Sequence, residues 1–96
     1  MHFPANGLLE IEVTGRSVCI GRDGDNLRGC AAKCPHAGGK LAEGYLDGQG
    51  NIVCPLHGFK FDLSNGRNVT GEGYQLRTYP IEVRGDGIYI GIDEVK

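Results

Sequence analysis

The sequence has no tryptophan, only three phenylalanines and four tyrosines, and no long apolar run. A membrane-spanning helix needs about 20 consecutive apolar residues, so no span is expected. Basic residues are not in excess, because the formal net charge is -2 at pH 7 and the pI is about 5.8. This balance argues against a nucleic acid or an anionic membrane as the binding partner. We therefore expect a protein partner.

A 3.6-residue apolar period is also missing from every stretch longer than a few residues, which almost excludes helix. What recurs is a short alternating or apolar run followed by a turn, in a chain with 17 glycines. In one such run, Leu9, Ile11 and Val13 alternate with two glutamates. This pattern predicts a small all-β fold. Residues 1–96 are expected to form one domain, because this length leaves room for one modest core and for no separate catalytic domain.

The alternating runs also give approximate strand positions. Predicted strands cover residues 9–13, 17–21, 27–32, 51–53, 59–62, 76–84 and 88–92. Residues 64–67, Ser-Asn-Gly-Arg, predict a hairpin turn. The linker at residues 40–50 should contain a helical turn at most, and its predicted packing residues are Leu41, Tyr45 and Leu46. Pro80 cannot donate a ladder hydrogen bond, so it is expected at a sheet edge or a bulge.

Four cysteines in a short chain could form disulfides in a secreted protein. Residues 1–6 are too short and too polar for an export signal, however, so we expect a soluble, cytoplasmic protein. Cys19 lies in the apolar run Val18-Cys19-Ile20 and is expected to be a small buried hydrophobic residue. Cys30 is expected to be an ordinary thiol.

The other two cysteines each begin a loop that also contains a histidine. The loops read Cys34-Pro35-His36 and Cys54-Pro55-Leu56-His57, with seventeen residues between them. Four such ligands can bind zinc tetrahedrally, so a structural zinc module is one interpretation. Zinc sites usually pair Cys with Cys and His with His along the chain, however, whereas this order interleaves them. Interleaving favours a [2Fe-2S] cluster of Rieske type, in which two cysteines hold one iron and two histidines hold the other.

This motif, with proline after each cysteine and Gly58 after the second histidine, resembles that of the Rieske iron-sulfur family. The resemblance covers residues 8–92 in layout but is specific only around the loops. It implies a small antiparallel β-sandwich or barrel that carries both loops at one end. It also implies one [2Fe-2S] cluster per chain, with Cys34, His36, Cys54 and His57 as its ligands.

The resemblance further implies where electrons leave the protein. In family members the two histidines lie at the surface, so the docking face for a redox partner is expected to surround them. The flanking residues of that face are Pro35, Ala37, Leu56 and Gly58. Glu43, Asp47 and Glu72 are candidates for a charged rim, although solvated surface carboxylates are the favoured interpretation.

Two family features that raise the reduction potential are missing from this chain. High-potential members have a disulfide between the loops at positions that hold Gly39 and Leu56 here. The same members have hydroxyl donors to sulfur where this chain has Phe59 and Phe61. Fewer donors leave the extra electron less stabilised, so we expect a potential near about -150 mV, the low end for such centres.

The low-potential pattern is similar to that of Rieske-type ferredoxins, which pass electrons from a flavin reductase to a ring-hydroxylating oxygenase. It is also similar to that of the small Rieske subunits of nitrite reductases, which is the alternative function. Either role makes the chain an electron-transfer protein and not an enzyme by itself. The segment at residues 69–74 lacks the proline with which many members cover the cluster, so a looser cover is expected beside the loops.

Overall fold

The computed structural model describes residues 3–24, 26–35, 38–56, 58–71, 73–85 and 87–91. These residues form nine β-strands and one 3₁₀ turn, Leu41–Glu43. The strands are β1 (Leu8–Val13), β2 (Arg16–Asp23), β3 (Asn26–Ala31), β4 (Tyr45–Leu46), β5 (Asn51–Val53), β6 (Lys60–Asp62), β7 (Thr78–Tyr79), β8 (Ile81–Arg84) and β9 (Gly87–Ile90). The predicted all-β fold is therefore confirmed. In the described ranges, no helix is long and apolar enough to cross a membrane.

The largest sheet is antiparallel and has the strand order β1-β2-β3-β7. In β1, Leu9, Ile11 and Val13 are half-buried and the intervening glutamates are exposed, as the alternation predicts. A two-residue loop joins β1 to β2, and both of its residues, Thr14 and Gly15, have positive φ (48° and 84°). This backbone twist matches that of the flanking strands, so the turn sets their register.

The second sheet has the order β4-β5-β6, and β5 spans the three residues predicted for it. Strand β4 was not predicted, because two residues are too few to show a period. Of the three predicted packing residues, Leu41 is buried and Leu46 packs against the core, but Tyr45 is 54% exposed. Neighbouring residues of a strand point to opposite faces, so Leu46 and Tyr45 cannot both face the core. The packing prediction for Tyr45 is therefore wrong.

The predicted strand at residues 76–84 is also wrong as a single element. It breaks at Pro80, which separates β7 in the first sheet from β8, and β8 pairs with β9 in a sheet of its own. Pro80 lacks an N–H but accepts a hydrogen bond from Gly91 through its carbonyl (2.9 Å). A proline at a change of sheet fits the expectation that it would not sit within a central ladder. The predicted end of β9, Ile92, lies outside the described residues.

The first of two cores lies where the first and second sheets meet, and we call it the main core. Its buried residues are Leu8, Cys19, Cys30, Cys34, Leu41, Ile52, Cys54, Phe61, Leu63 and Leu76. The second core is centred on Val18, Ile20 and Tyr79, against which Ile81 and Ile90 pack. All four cysteines belong to the main core, and two of them are the cysteines of the predicted ligand loops.

Candidate metal centre

The first loop, residues 34–39, is closed by two backbone hydrogen bonds. The N–H of Cys34 donates to the carbonyl of Gly39 (2.8 Å), and the N–H of Gly38 donates to the carbonyl of Cys34 (2.8 Å). Gly38 has φ of 73°, a left-handed conformation that a residue with a Cβ rarely adopts. The loop is therefore a tight, hydrogen-bonded turn.

The second loop, residues 54–59, repeats this geometry position by position. The N–H of Cys54 donates to the carbonyl of Phe59 (2.8 Å), and the N–H of Gly58 donates to the carbonyl of Cys54 (3.1 Å). Gly58 also has φ of 73°. The two loops thus share one backbone design, although histidine occupies the third position of the first loop and the fourth position of the second.

The two loop cysteines are almost fully buried, with 2% exposure at Cys34 and 1% at Cys54. All four cysteines of the chain are described, and none of them forms a disulfide. The loops therefore bring two thiols to the main core at equivalent positions. The other two predicted ligands, His36 and His57, lie outside the described residues, as does Ala37 of the predicted docking face.

The two loops approach each other closely at Gly39. A Cβ built on Gly39 would lie 2.9 Å from Cδ1 of Leu56 and 3.3 Å from Sγ of Cys54. The absence of a side chain at Gly39 thus leaves room beside the sulfur of the opposite loop. Two buried thiols on facing loops, with glycine next to one sulfur, fit a group that both loops hold together.

The remaining cysteines do not belong to this arrangement. Cys19 on β2 lies directly opposite Cys30 on β3, and both side chains are buried. The hydrogen bond with the Cys19 thiol, followed by burial, raises the pKa of Cys30 far above its usual value. A thiol must lose its proton to bind a metal, so this pair is suited to packing and not to ligation. The expectation that Cys19 is a buried hydrophobic residue is confirmed.

The surface beside the second loop contains more apolar area than the sequence predicted. Leu56 is 53% exposed, and Pro35 and Gly58 of the predicted docking face are exposed as well. Tyr74 is an exposed aromatic residue whose ring centroid lies 6.1 Å from that of Phe59. Tyr74 was missed as a contributor because its contact with the loop joins residues 15 positions apart.

The carboxylate of Asp47, one of the candidate rim residues, bonds to neighbouring groups of the protein itself. Its Oδ1 accepts a hydrogen bond from the N–H of Gln49 (2.8 Å), and its Oδ2 accepts one from the side chain of Asn51 (2.9 Å). Lys60 lies 3.9 Å from Oδ2. The hydrogen bond from the Asn51 side chain is the main cause that lowers the pKa of Asp47 below its usual value. Asp47 therefore stabilises the turn between β4 and β5.

Comparison with known proteins identifies the family. The family model for the Rieske [2Fe-2S] domain matches residues 2–80. The chain belongs to the Rieske [2Fe-2S] family. A 3-phenylpropionate/cinnamic acid dioxygenase ferredoxin subunit from Photorhabdus laumondii is 30% identical over 93 residues, covering 96% of this chain and 88% of the relative. A naphthalene 1,2-dioxygenase system ferredoxin component from Pseudomonas aeruginosa is 27% identical over 91 residues, covering 94% and 86%.

Solved structures agree with this family. The ferredoxin of carbazole 1,9a-dioxygenase from Nocardioides aromaticivorans has a TM-score of 0.84 at 27% identity, over 95% of this chain and 89% of that chain. A chain in the complex of reduced oxygenase and oxidized ferredoxin of carbazole 1,9a-dioxygenase has a TM-score of 0.81 at 26% identity, over 95% and 92%. A nitrite reductase small subunit from Mycobacterium tuberculosis, at 19% identity, shares the fold (TM-score 0.84, 98% and 89%).

Family membership assigns the cofactor and the class of function. This Rieske protein has one [2Fe-2S] cluster and is an electron carrier of a multicomponent oxidoreductase system, not a catalytic enzyme by itself. The alternative of a structural zinc module is therefore not retained. The partners of this Rieske protein are other redox proteins. The solved complex of a related ferredoxin with its oxygenase is an example of such a pairing.

Proposed function

We propose that Cys34 and Cys54 hold one iron of the cluster and that His36 and His57 hold the other. The single observation that carries this proposal is the repeated backbone geometry of the two loops, which brings two buried thiols to equivalent positions. A [2Fe-2S] cluster of Rieske type requires two cysteines and two histidines. This chain offers one cysteine and one histidine in each loop.

The cluster supplies one-electron uptake and release, and the chain's residues determine how readily this happens. The buried cysteines keep their sulfur atoms away from water, which favours the less charged form of the centre. The backbone N–H groups of Cys34 and Cys54 donate to carbonyl groups of their own loops. They therefore close the loops and do not serve as donors to the cluster sulfur. Phe59 and Phe61 offer no hydroxyl to a sulfur, and a potential near about -150 mV is the consequence we propose.

The protein is proposed to carry electrons from a flavin reductase to a terminal oxygenase in the cytoplasm. The ferredoxin relatives support this role, because their names place them in dioxygenase systems.

The second candidate function is that of an electron-relaying subunit in a nitrite reductase-like complex, and the shared fold is the observation that favours it. The two functions differ in the permanence of the interface. Permanent interfaces are larger and more apolar than transient ones. Purification under native conditions separates the two: a carrier elutes alone at about its chain mass of 10.3 kDa, and a subunit elutes with its complex.

The docking face is proposed to comprise Pro35, Ala37, Leu56 and Gly58 around the two histidines. Leu56 is the best residue for a test because it is exposed and belongs to the second loop. Leu56→Glu is expected to slow electron transfer to the partner at least tenfold. Because the added carboxylate lies beside the cluster loops and also lowers the potential, the rates are compared at equal driving force. Val83→Glu is the matched control, because Val83 is 66% exposed but lies on β8 in a separate sheet.

Ligand substitution tests the proposed ligand set. Cys34→Ser, Cys54→Ser, His36→Ala and His57→Ala are each expected to abolish or strongly alter the visible absorption of the purified protein. Cys19→Ala and Cys30→Ala are the controls and should retain the spectrum, because these thiols lie outside the loops. Retention of the normal spectrum after any of the four ligand substitutions would overturn the assignment of that residue.

A further inference from the structure

Two lysines face each other at the base of the first loop. Lys33 and Lys40 form an antiparallel bridge, and both side chains are exposed. The backbone hydrogen bonds at this bridge (2.8 and 2.9 Å) join the residues on either side of it and not the two lysines themselves. Side chains of such a non-hydrogen-bonded pair come closest across the strands, with Cβ atoms about 4.5–5.5 Å apart. Two positive charges thus share the tightest cross-strand arrangement.

This arrangement has a cost that nothing in the described ranges offsets. Like charges directly opposite each other destabilise a pair of strands. The ion pairs found in the described ranges are Lys60–Asp47 and Arg84–Glu82. Neither Lys33 nor Lys40 therefore has a described carboxylate within 4.0 Å to neutralise it. The counter-charge that would relieve the repulsion has to come from outside this part of the chain.

A third positive charge lies beside Lys33. Arg16, the exposed first residue of β2, lines an open cavity of about 330 Å³ together with Lys33. The remaining lining residues are Ser17, Ala31, Ala32 and Tyr79, and none of them carries a carboxylate. The cavity therefore has room for an anionic group between two cationic side chains. We call Arg16, Lys33 and Lys40 the basic patch.

The basic patch borders the proposed docking face. Lys33 directly precedes Cys34, and Lys40 directly follows the last residue of the same loop, in which Pro35 is exposed. The chain as a whole has a formal net charge of -2, so the positive charge here is a local asymmetry. The charged rim predicted from the sequence was acidic, and this basic surface was not among its candidates. A local charge of opposite sign beside a docking face orients an approaching partner.

We propose that the basic patch binds a carboxylate-rich surface of the redox partner protein and positions that partner over the first loop. Carboxylates of the partner supply the counter-charges that Lys33 and Lys40 lack, and one of them enters the cavity beside Arg16. This inference rests on the proposed function, because that function places electron exit at the two loops. Charge complementarity of this kind speeds the encounter and fixes its orientation more than it adds affinity.

The first test compares two haem proteins of opposite charge as electron acceptors, acidic cytochrome b5 and basic cytochrome c. The reduced protein is mixed with each acceptor in a stopped-flow instrument at increasing ionic strength. Between about 0.01 M and about 0.15 M the Debye length falls from about 30 Å to about 8 Å, so attraction between exposed charges is screened. The rate with cytochrome b5 is expected to fall about fivefold, although both proteins carry net negative charge.

The second test is Lys40→Glu, with rates compared at equal driving force. It is expected to slow the reduction of cytochrome b5 about tenfold at low ionic strength. It should also raise the thermal midpoint, because a glutamate opposite Lys33 converts a repulsive cross-strand pair into an attractive one. A purely structural role of the lysine pair would raise the midpoint and leave the rate unchanged.

Arg22→Glu is the matched control, because it changes the net charge by the same amount. Arg22 is exposed and lies on β2 six residues beyond Arg16, which is about 20 Å along a strand. Its replacement should leave the rate with cytochrome b5 within about twofold of the wild-type rate. Both variants should retain the visible absorption of the wild-type protein.

Two results would overturn the proposal. One is a rate with cytochrome b5 that rises with ionic strength, as the net charges alone predict, and the other is a rate that Lys40→Glu does not change. Failure of the proposed function would look different. The protein would then lack the visible absorption of the cluster, or would reduce neither cytochrome at any ionic strength.

Discussion

Gly39 in the first loop and Leu56 in the second loop are in such close contact that a Cβ on Gly39 would lie 2.9 Å from Cδ1 of Leu56. The sulfur of Cys54 would be 3.3 Å from the same Cβ. Both distances are shorter than ordinary carbon contacts, which are about 3.5–4.0 Å. The separation of the loops therefore depends on the absence of a side chain at position 39.

Gly39→Ala is the first prediction. The end of the Leu56 side chain can move aside, but the sulfur of Cys54 cannot move if it holds iron, so the extra methyl group should push the loops apart. We expect lower iron content and faster loss of the visible absorption. Leu56→Ala in the same chain should restore only part of the loss, because it removes the contact with the Leu56 side chain and leaves the contact with the Cys54 sulfur.

The matched control for this substitution is Gly71→Ala, since a Cβ at Gly71 would meet no atom within 4 Å. It should leave iron content unchanged. Equal iron content in Gly39→Ala and in wild type would show that the loops have more room than the structure indicates.

The second prediction concerns an engineered bridge between the loops. Cγ of Leu56 lies roughly where a cysteine sulfur at that position would lie, and it is 3.0 Å from a Cβ on Gly39. That distance is close to the separation of about 3 Å between one Cβ and the partner sulfur in a disulfide. The double variant Gly39→Cys, Leu56→Cys is expected to form a disulfide under mild oxidation and to have a higher potential than wild type. Mass spectrometry after alkylation checks this, and two alkylated cysteines at positions 39 and 56 after oxidation would refute it.

The third prediction concerns the reactivity of Cys19 and Cys30. Both thiols are buried, and their mutual hydrogen bond keeps the pKa of Cys30 above its usual value, so the reactive thiolate is scarce at neutral pH. Neither residue should react with iodoacetamide in the folded holoprotein, and both should react after denaturation. Rapid labelling of either thiol in the folded protein would contradict the packing described for this pair.

The fourth prediction is a pH dependence at Asp47. Because hydrogen bonds lower the pKa of this carboxylate in the folded state, its stabilising effect is present above the unfolded value of about 3.9 and is lost as the pH falls through the folded value. Asp47→Ala should lower the thermal midpoint by a constant amount between pH 7 and pH 5, and the difference should shrink in stronger acid.

The control for this pH series is Glu12→Ala. Glu12 is an exposed carboxylate on β1, and its removal should change the midpoint little at any pH. A difference in thermal midpoint between Asp47→Ala and wild type that grows as the pH falls would contradict this prediction.

The ligand motif was readable from sequence because its chemistry is local. Each loop places cysteine, proline, histidine and glycine within five consecutive residues. Spacing over so few residues can be recognised in the sequence without knowledge of the fold. Strand β1 was readable for a similar reason, since Leu9, Ile11 and Val13 alternate with acids. The family resemblance then supplied the architecture and the cofactor, which periodicity alone did not.

Features that depend on pairing between residues far apart in the chain could not be predicted from the sequence. Tyr45 faces away from the main core because its neighbour Leu46 pairs with the buried Ile52. The break at Pro80 follows from β7 joining β3 while β8 joins β9. The burial of Asn68 likewise follows from its bridge to Phe61. An asparagine in a polar, glycine-containing stretch looks like a turn residue until the register places it in the core.

The most direct test of the central claim is EPR of the dithionite-reduced protein, together with iron and sulfide assays. Two irons and two sulfides per chain are expected, with an average g value below that of all-cysteine [2Fe-2S] centres and couplings to two histidine nitrogens. These results would establish the mixed cysteine and histidine ligation at the two loops. A spectrum typical of four cysteine ligands, or a protein that contains zinc and no iron after anaerobic reconstitution, would contradict it.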